Sequence, residues 1–280
     1  MRAPGTATDL SVAYQGEPGA YSEEGVLQLF GDVDKTPYST IRKVFEAVEV
    51  GRADYGLVPM DNSQAGSINE TYDLFLKHGL HLVGETVVRV DHCLLALPGT
   101  VVEDLQEVIS HPQAIAQCEE FLSALDVRVR AEYDTAGAAK QIHDEKLDKT
   151  GAIASRRAAD LYGLEVLAEK IQTFPDNYTR FGALARNPDP LSDPDKSSLV
   201  FGTGHKAGSL YRCLGAFAER HLSLSKLESR PRGGRPWEYV FYVDVEVPAT
   251  EPVMIEALAE VSEHATFTRL LGTYASGLRG

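Results

Sequence analysis

Between residues 174 and 182 the chain reads Phe174-Pro175-Asp176-Asn177-Tyr178-Thr179-Arg180-Phe181-Gly182. This short span crowds together a carboxylate, an amide, two hydroxyls and a guanidinium. Donors and acceptors gathered beside aromatics suit a small polar substrate. Pro175 biases Phe174 away from helix and Asp176-Asn177 is turn chemistry. The span is therefore expected to be a loop that follows a helical pattern and feeds a strand. The plainer alternative is a turn whose Asn caps a helix, followed by ordinary edge strand.

A second cluster of small polar groups is Met60-Asp61-Asn62-Ser63-Gln64-Ala65-Gly66-Ser67, which follows a strand expected at Tyr55–Pro59. Open α/β sheets hold ligands in the crevice beyond the carboxyl ends of their strands. Asn62, Ser63 and Ser67 are compact donors at such an end, and Gly66 would let backbone approach a ligand. Further along, helix N-termini are expected at Ser110 (Ser110 or His111 near the cap, Pro112 in the first turn), Thr135 and Ser155, each after a short apolar strand. Their free N–H groups and positive dipole ends are candidate anion sites. Three of them converging on one crevice would suit a dianion.

Other chemistries are disfavoured. The histidines at 78, 81, 92, 111, 143, 205, 221 and 264 form no HExxH, and the three cysteines form no CxxC, so no metal is implied. There is no G-x-S-x-G elbow, and Gly202-Thr203-Gly204-His205-Lys206 lacks the full phosphate-loop run. A net charge of −14 argues against nucleic acid and against an anionic membrane surface. An anionic substrate would need local donors to overcome that field. Residues 1–11 hold no apolar core of a signal peptide and no later run spans a bilayer, so a cytoplasmic address is expected.

These groups need a scaffold, and the pattern supplies one. Leu10–Tyr14 reads as a strand and Gln15–Gly19 as a sharp turn. A helix follows from Ser22 to Phe30, then a second capped at Ser39 or Thr40, with Val44, Phe45 and Val48 inward. Two strand–turn–helix units in a row imply an α/β lobe with a mostly parallel sheet. The pattern is strand-rich from Leu80 to Leu97, and a second lobe seeds there. Asn187–Lys196, with Pro188, Pro190 and Pro194, is a linker. Beyond it come a strand (197–202), helix (209–221), strand (222–228), basic turn (229–236), strand (238–247), helix (254–264) and strand (267–271). That is the ferredoxin-like β-α-β-β-α-β order.

Taken together, the chain resembles the prephenate dehydratase family over nearly its whole length. The resemblance lies in Tyr14 to Ser22, in Asp61-Asn62-Ser63 through Gly66-Ser67, in Ser110-His111-Pro112-Gln113 through Gln117-Cys118, and most specifically in Asn177-Tyr178-Thr179-Arg180-Phe181. Beyond the linker it resembles an ACT regulatory domain carrying Glu228-Ser229-Arg230-Pro231. Two departures stand out. The family usually has Glu where this chain has Asp61, and Pro-Gly-Ala-Leu where it has Ala207-Gly208-Ser209-Leu210.

The resemblance implies an α/β catalytic domain over residues 9–186, two-lobed like a type II periplasmic binding protein. Lobe one would be about 9–88 plus 174–186, and lobe two about 89–173. A linker at 187–196 and an ACT domain at 197–280 would follow. It implies decarboxylating dehydration of prephenate to phenylpyruvate without a cofactor. Thr179, Arg180 and Phe181 would be catalytic. Asn62, Ser63, Gly66, Ser67, Thr135, Ser155 and Asn177 would bind substrate. Arg180 would hold a carboxylate, or brace the loop through Asp176. Phenylalanine would bind at Ala207, Gly208, Ser209, Leu210, Glu228, Ser229, Arg230 and Pro231 as an allosteric effector, in a homodimer or pair of dimers. The rivals are arogenate dehydratase, acting on the amino analogue, and a non-catalytic amino-acid sensor.

Overall fold

The computed structural model describes residues 10–232 and 238–277. Strand β1 (Ser11–Gln15) buries Val12, Ala13 and Tyr14. After a turn through Gly16 and Gly19, both at positive φ, helix α1 runs over Tyr21–Phe30. It begins ahead of the start expected at Ser22. Ala20 is the N-cap without a side-chain bond, and Glu23, on the first turn, accepts from the Gly19 N–H at 2.7 Å. Glu23 thus reaches one residue beyond the N-cap, a variation on the capping box. Ser22 lies inside the helix and donates to the Gln15 carbonyl.

Strand β2 (Asp34–Tyr38) pairs in parallel with β1 although it contains Pro37 and is mostly exposed. An edge strand tolerates both. Helix α2 (Ile41–Glu49) is capped by Thr40, whose hydroxyl accepts from Lys43 N, and it buries Val44, Phe45 and Val48 as expected. Strand β3 (Tyr55–Asn62) continues three residues past Pro59. The expected loop is instead a hairpin, because β4 (Gly66–Ser67) pairs antiparallel with Asp61 and Asn62. Helix α3 is Asn69–Lys77.

There follow β5 (His81–Arg89), β6 (Cys93–Ala96), β7 (Glu107–Ser110), α4 (Pro112–Gln117), α5 (Glu119–Ser123), β8 (Arg128–Ala131) and α6 (Thr135–Glu145). Next come β9 (Thr150–Ala154), α7 (Arg156–Tyr162), β10 (Glu165–Glu169) and β11 (Tyr178–Ala185). The element before the Asp176 turn is thus strand β10, not a helix. One sheet has the order β2-β1-β3-β11-β5 with β4 on β3, and a second has β10-β6-β9-β7-β8. Strand β11, late in sequence, lies beside β3, which sets Thr179 near Asn62. The second sheet is mixed, with β7 parallel to β8 and β9 but β6 antiparallel to β9 and β10. Ala20 packs into the cluster built by Ala136, Ala139, Ile142, Ala154 and Ala158, so the turn before α1 is tied to helices α6 and α7.

The last elements are β12 (Lys196–Thr203), α8 (Ser209–Ala218), β13 (Leu224–Pro231), β14 (Tyr239–Val245), α9 (Pro252–His264) and β15 (Ala265–Tyr274). Their sheet is ordered β13-β14-β12-β15 with antiparallel neighbours. Phe201, Phe217, Val243, Met254 and Val261 are in its core. The expected β-α-β-β-α-β order holds. Strand β13 runs to Pro231, so Ser229 to Pro231 are strand rather than turn, and Gly233–Pro236 of the expected basic turn lie outside the described residues. By contact the chain divides into two compact units, 1–77 with 86–181, and 78–85 with 182–280.

Candidate active site

Within the first unit a cavity of about 170 Å³ opens between elements of the two sheets. One wall is the β3 hairpin and β11. Asn62 is its node, and its orientation follows from the turn. The backbone N–H groups of Gln64 and Ala65 donate to Asn62 Oδ1 at 3.0 and 2.9 Å. That leaves Nδ2 as the donor, to Asn177 Oδ1 (2.8 Å), Tyr178 O (3.2 Å) and Thr179 Oγ1 (3.1 Å). The Thr179 oxygen is therefore an acceptor within the wall, while its own proton has no acceptor among the described residues. Thr179 and Phe181 are buried and both line the cavity.

Successive side chains on a strand point to opposite faces. Arg180 accordingly leaves the cavity and meets Asp61, the neighbour of Asn62 on the far face. Its Nε lies 2.9 Å and its Nη2 2.5 Å from Asp61 Oδ2, and Nη2 donates to Tyr72 Oη at 3.1 Å. Tyr72 and Ser67 also donate to Asp61. Arg180 thus braces the strands through Asp61, not through Asp176, and Ser67 belongs to that brace. Ser63 does not line the cavity. Its hydroxyl donates to Asp176 O at 3.0 Å and accepts from Tyr178 N at 2.9 Å, which pins the turn before β11. Asn177 is fully buried behind Asn62, and Gly66 is an exposed hairpin residue with φ of 79°.

The facing wall is built from helix starts. Of the two expected cap residues it is His111 that caps α4, its Nδ1 accepting from Gln113 N at 3.2 Å. Asp134, not Thr135, caps α6, its Oδ2 accepting from Gly137 N at 2.9 Å. Thr135 is the first helical residue and lines the cavity. Ser155 does cap α7, but its hydroxyl donates to Gly19 O at 2.6 Å and it does not line this cavity. Ser110 is buried beneath, donating to Ile153 O at 2.6 Å. Of the three expected helix starts, those of α4 and α6 reach the cavity and that of α7 does not; the start of α1, at Ala20, Tyr21 and Ser22, lines it as well.

Three further lining residues are not among the expected site residues, although Tyr21 and Gln117 lie in stretches that carry the family resemblance. His92 Nε2 lies 2.9 Å from Gln117 Oε1, and Gln117 Nε2 is 3.4 Å from Asn62 Oδ1. Tyr21 Oη donates to Asp91 O at 2.7 Å and lies 3.3 Å from His92 Nδ1. Because Asn62 Oδ1 is held as an acceptor, Gln117 must turn its NH₂ towards it, which makes His92 Nε2 the protonated nitrogen. Burial pushes both His92 and His111 below the ordinary histidine range, so each is neutral at pH 7. Burial pushes Asp134 up, opposed by the N–H groups of Gly137 and Glu17. The site therefore offers neutral donors and a single carboxylate in a poorly hydrated space, where each aimed donor counts for more than it would in water.

In the C-terminal unit a separate cavity of about 460 Å³ is lined by Thr203 to Tyr211, including Ala207, Gly208, Ser209 and Leu210. Gly208, at φ of 80°, is the N-cap of α8. Glu228, Ser229, Arg230 and Pro231 lie on β13 and do not line that cavity.

Residues 12–189 match the model of the prephenate dehydratase family. The chain belongs to this family. It is a dehydratase of the prephenate or arogenate type. A relative in Arabidopsis thaliana, the chloroplastic arogenate dehydratase/prephenate dehydratase 6, is 46% identical over 97% of this chain and 70% of its own length. The prephenate dehydratase of Arthrobacter aurescens, solved in complex with L-Phe, superposes with a TM-score of 0.89 at 29% identity, over 97% of this chain and 92% of that one. A protein described as GqqA, a novel type of quorum quenching acylase, gives 0.87 at 34% identity, over 96% and 100%. The cytoplasmic address expected from residues 1–11 is overturned here. Arogenate dehydratases 4 and 5 of Arabidopsis thaliana, like number 6, are named chloroplastic.

Proposed function

We propose that the cavity carries out decarboxylating dehydration of the prephenate ring system. Loss of CO₂ from the ring carbon that bears the carboxylate sends its electron pair through the diene. The pair expels hydroxide at the opposite carbon, and one proton converts that hydroxide to water. The product of prephenate is phenylpyruvate. Aromatisation supplies the driving force, so the protein need only place the ring, exclude water and assist the leaving hydroxyl.

The observation that carries this reading is the hydroxyl of Thr179. Its oxygen is consumed by Asn62 Nδ2, so its proton is the group left to donate towards the cavity. A threonine hydroxyl is too weak an acid to be the final proton source, so its role is to orient and to relay. Phe181 seals the floor against water, and Arg180 with Asp61 keeps β11 and β3 in register for Asn62 and Thr179.

Phenylalanine is the proposed effector. The C-terminal unit has the ferredoxin-like order of an ACT domain, and the Arthrobacter relative was solved with L-Phe. The cavity at Ala207–Leu210 is the proposed contact, in a homodimer or pair of dimers. Inhibition requires phenylalanine to bind the less active arrangement more tightly.

The test is product formation by purified protein from prephenate and from arogenate, each with and without phenylalanine. Turnover suppressed by phenylalanine is the expected result. Turnover indifferent to it would keep the enzyme and remove the effector. No turnover of either substrate by folded protein would leave an amino-acid sensor.

A further inference from the structure

We propose that Asp134 sets the charge class of the substrate, its carboxylate pairing with an ammonium group so that the amino-bearing ring of arogenate is selected over the keto counterpart, prephenate. The assignment rests on the dehydratase reading above and deepens it.

Asp134 is 9% exposed and lines the cavity. Among the described residues, no Lys or Arg lines that cavity, and none pairs with Asp134. Its Oδ2 takes the Gly137 N–H, and the Glu17 N–H bonds it as well. The Gly16–Glu17 turn is wrapped closely around it, since a Cβ added at Gly16 would lie 3.5 Å from Asp134 Oδ1. The Gly137 cap bond alone does not call for a charge, because Asn caps a helix about as well as Asp; the Glu17 N–H and the positive end of α6 meet part of the cost of a carboxylate here, and no cationic side chain among the described residues meets the rest. A buried carboxylate without a counter-ion is costly, and such groups are normally paired.

The neighbouring charges leave a cation wanting. The carboxylate of Glu17 takes Lys140 Nζ at 2.9 Å and the Tyr133 hydroxyl at 3.0 Å, so the nearest ammonium is spent on a second carboxylate. Of the other titratable neighbours, Tyr162 is uncharged, its hydroxyl pushed up to about 12 by burial and donating to Pro18 O, and His111 is held neutral by burial and uses Nδ1 for the Gln113 N–H. Two carboxylates and one ammonium make a locally negative corner. Burial has pushed the Asp134 carboxyl up, the direction expected of a charge that lacks its partner. The two candidate substrates share the ring, its carboxylate and its hydroxyl. They differ where one carries a keto group and the other an ammonium beside the side-chain carboxylate. The keto acid brings only negative charge to this corner. The amino acid brings the missing cation, and the Thr135 hydroxyl and the His111 imidazole N–H lie in the same wall for its carboxylate.

The test is the ratio of kcat/KM for arogenate to that for prephenate, measured on the purified full chain, on Asp134→Asn and on Glu17→Gln. Asn keeps the Gly137 cap bond and removes the charge, at the loss of one acceptor for the Glu17 N–H. The wild-type ratio is expected to exceed about 10, and Asp134→Asn to lower it by about 30- to 100-fold, the low end of the loss when one partner of a buried charge pair is truncated. Glu17→Gln, which leaves the cap untouched and releases Lys140, should lower the ratio by about threefold. This second variant carries the test if Asp134→Asn fails to fold. A wild-type ratio below 1, or a ratio that neither variant moves by more than about twofold, would overturn the assignment and leave Asp134 a structural cap. If the wild type converts neither substrate, the dehydratase reading itself falls and takes the assignment with it. Those outcomes differ on the wild type alone.

Discussion

The two walls of the cavity are built on different terms. In the wall made by the β3 hairpin and β11, polar groups consume one another. Asn62 satisfies five partners in its own wall, Ser63 closes on Asp176 and Tyr178, and Arg180 closes on Asp61 and Tyr72. Of the groups that line the cavity only the Thr179 proton is left over, while Asn177 Nδ2, buried behind them, has no partner among the described residues. In the wall made by the starts of α4 and α6, groups stay open, with Asp134 lacking a counter-ion and His111 using only Nδ1. A saturated wall can hold geometry to a fraction of an ångström, and an unsaturated one can choose a ligand. Damage to the first should therefore appear in turnover and stability, and damage to the second in substrate preference.

The largest effect should come from Asn62→Asp, which keeps the shape but cannot donate to Thr179, Asn177 or the Tyr178 carbonyl. Turnover should fall by about 10²- to 10³-fold, the usual loss when one aimed donor is removed. Turnover within about tenfold of wild type would mean that Asn62 does not frame the site. Arg180→Leu comes next and should separate stability from chemistry. Leaving Asp61 half-buried without its guanidinium should cost about 2 kcal/mol, read as a lower Tm, with turnover reduced less than tenfold. A collapse of kcat at unchanged Tm would instead put Arg180 on the substrate.

Two carboxylates should titrate with opposite sign. Burial would raise Glu23, but the Arg157 guanidinium at 3.1 Å and the Gly19 N–H hold it below the ordinary range. A depressed folded value gives stability that is present above the unfolded pKa of about 4.3 and lost as pH falls through the folded one. The Tm deficit of Glu23→Gln should therefore be full at pH 7 and fade below about pH 4. Asp134 is raised, so its ionisation penalises folding once pH climbs past the unfolded value of about 3.9. Asp134→Asn should thus gain in Tm on the wild type as pH rises from about 4 to 7. Parallel slopes for the two variants in thermal melts would contradict the reading of Asp134 as a carboxylate that burial leaves short of a counter-ion. The smallest effect should be that of Ser63→Ala, at most about threefold in kcat, because its hydroxyl serves only a partly exposed turn. A larger loss would place it on the ligand.

Much of this architecture is legible in the residues. The capped α2, the strand at Tyr55, the linker and the C-terminal β-α-β-β-α-β order all follow from periodicity and turn chemistry. The exposed edges β2 and β10 have no burial pattern to betray them, and β2 even carries Pro37. The cap of α6 slipped by one residue where two capable residues adjoin. Asp134 and Thr135 could each accept from the first turn, and backbone dihedrals decided between them. Between the two candidates for α4 the cap fell to His111, the Ser110 hydroxyl being spent on Ile153 O. For the site, Asn62, Thr135, Thr179 and Phe181 are placed in the cavity as their types suggested. Arg180 and Ser67 lie behind it, because strand alternation turns them to the other face. His92, Gln117 and Tyr21 come together from separate elements, and no short motif records that meeting.

The most direct measurement on the central claim is steady-state turnover of arogenate and prephenate by Thr179→Ser and Thr179→Val, with Tm taken on the same preparations. Ser keeps a hydroxyl for Asn62 and for the leaving group, whereas Val keeps the shape without it. The expected result is Thr179→Ser within about tenfold of wild type and Thr179→Val at least about 10²-fold below it, both folded. Equal turnover by the two variants would contradict the account, since the Thr179 hydroxyl would then have no part in expelling the ring hydroxyl.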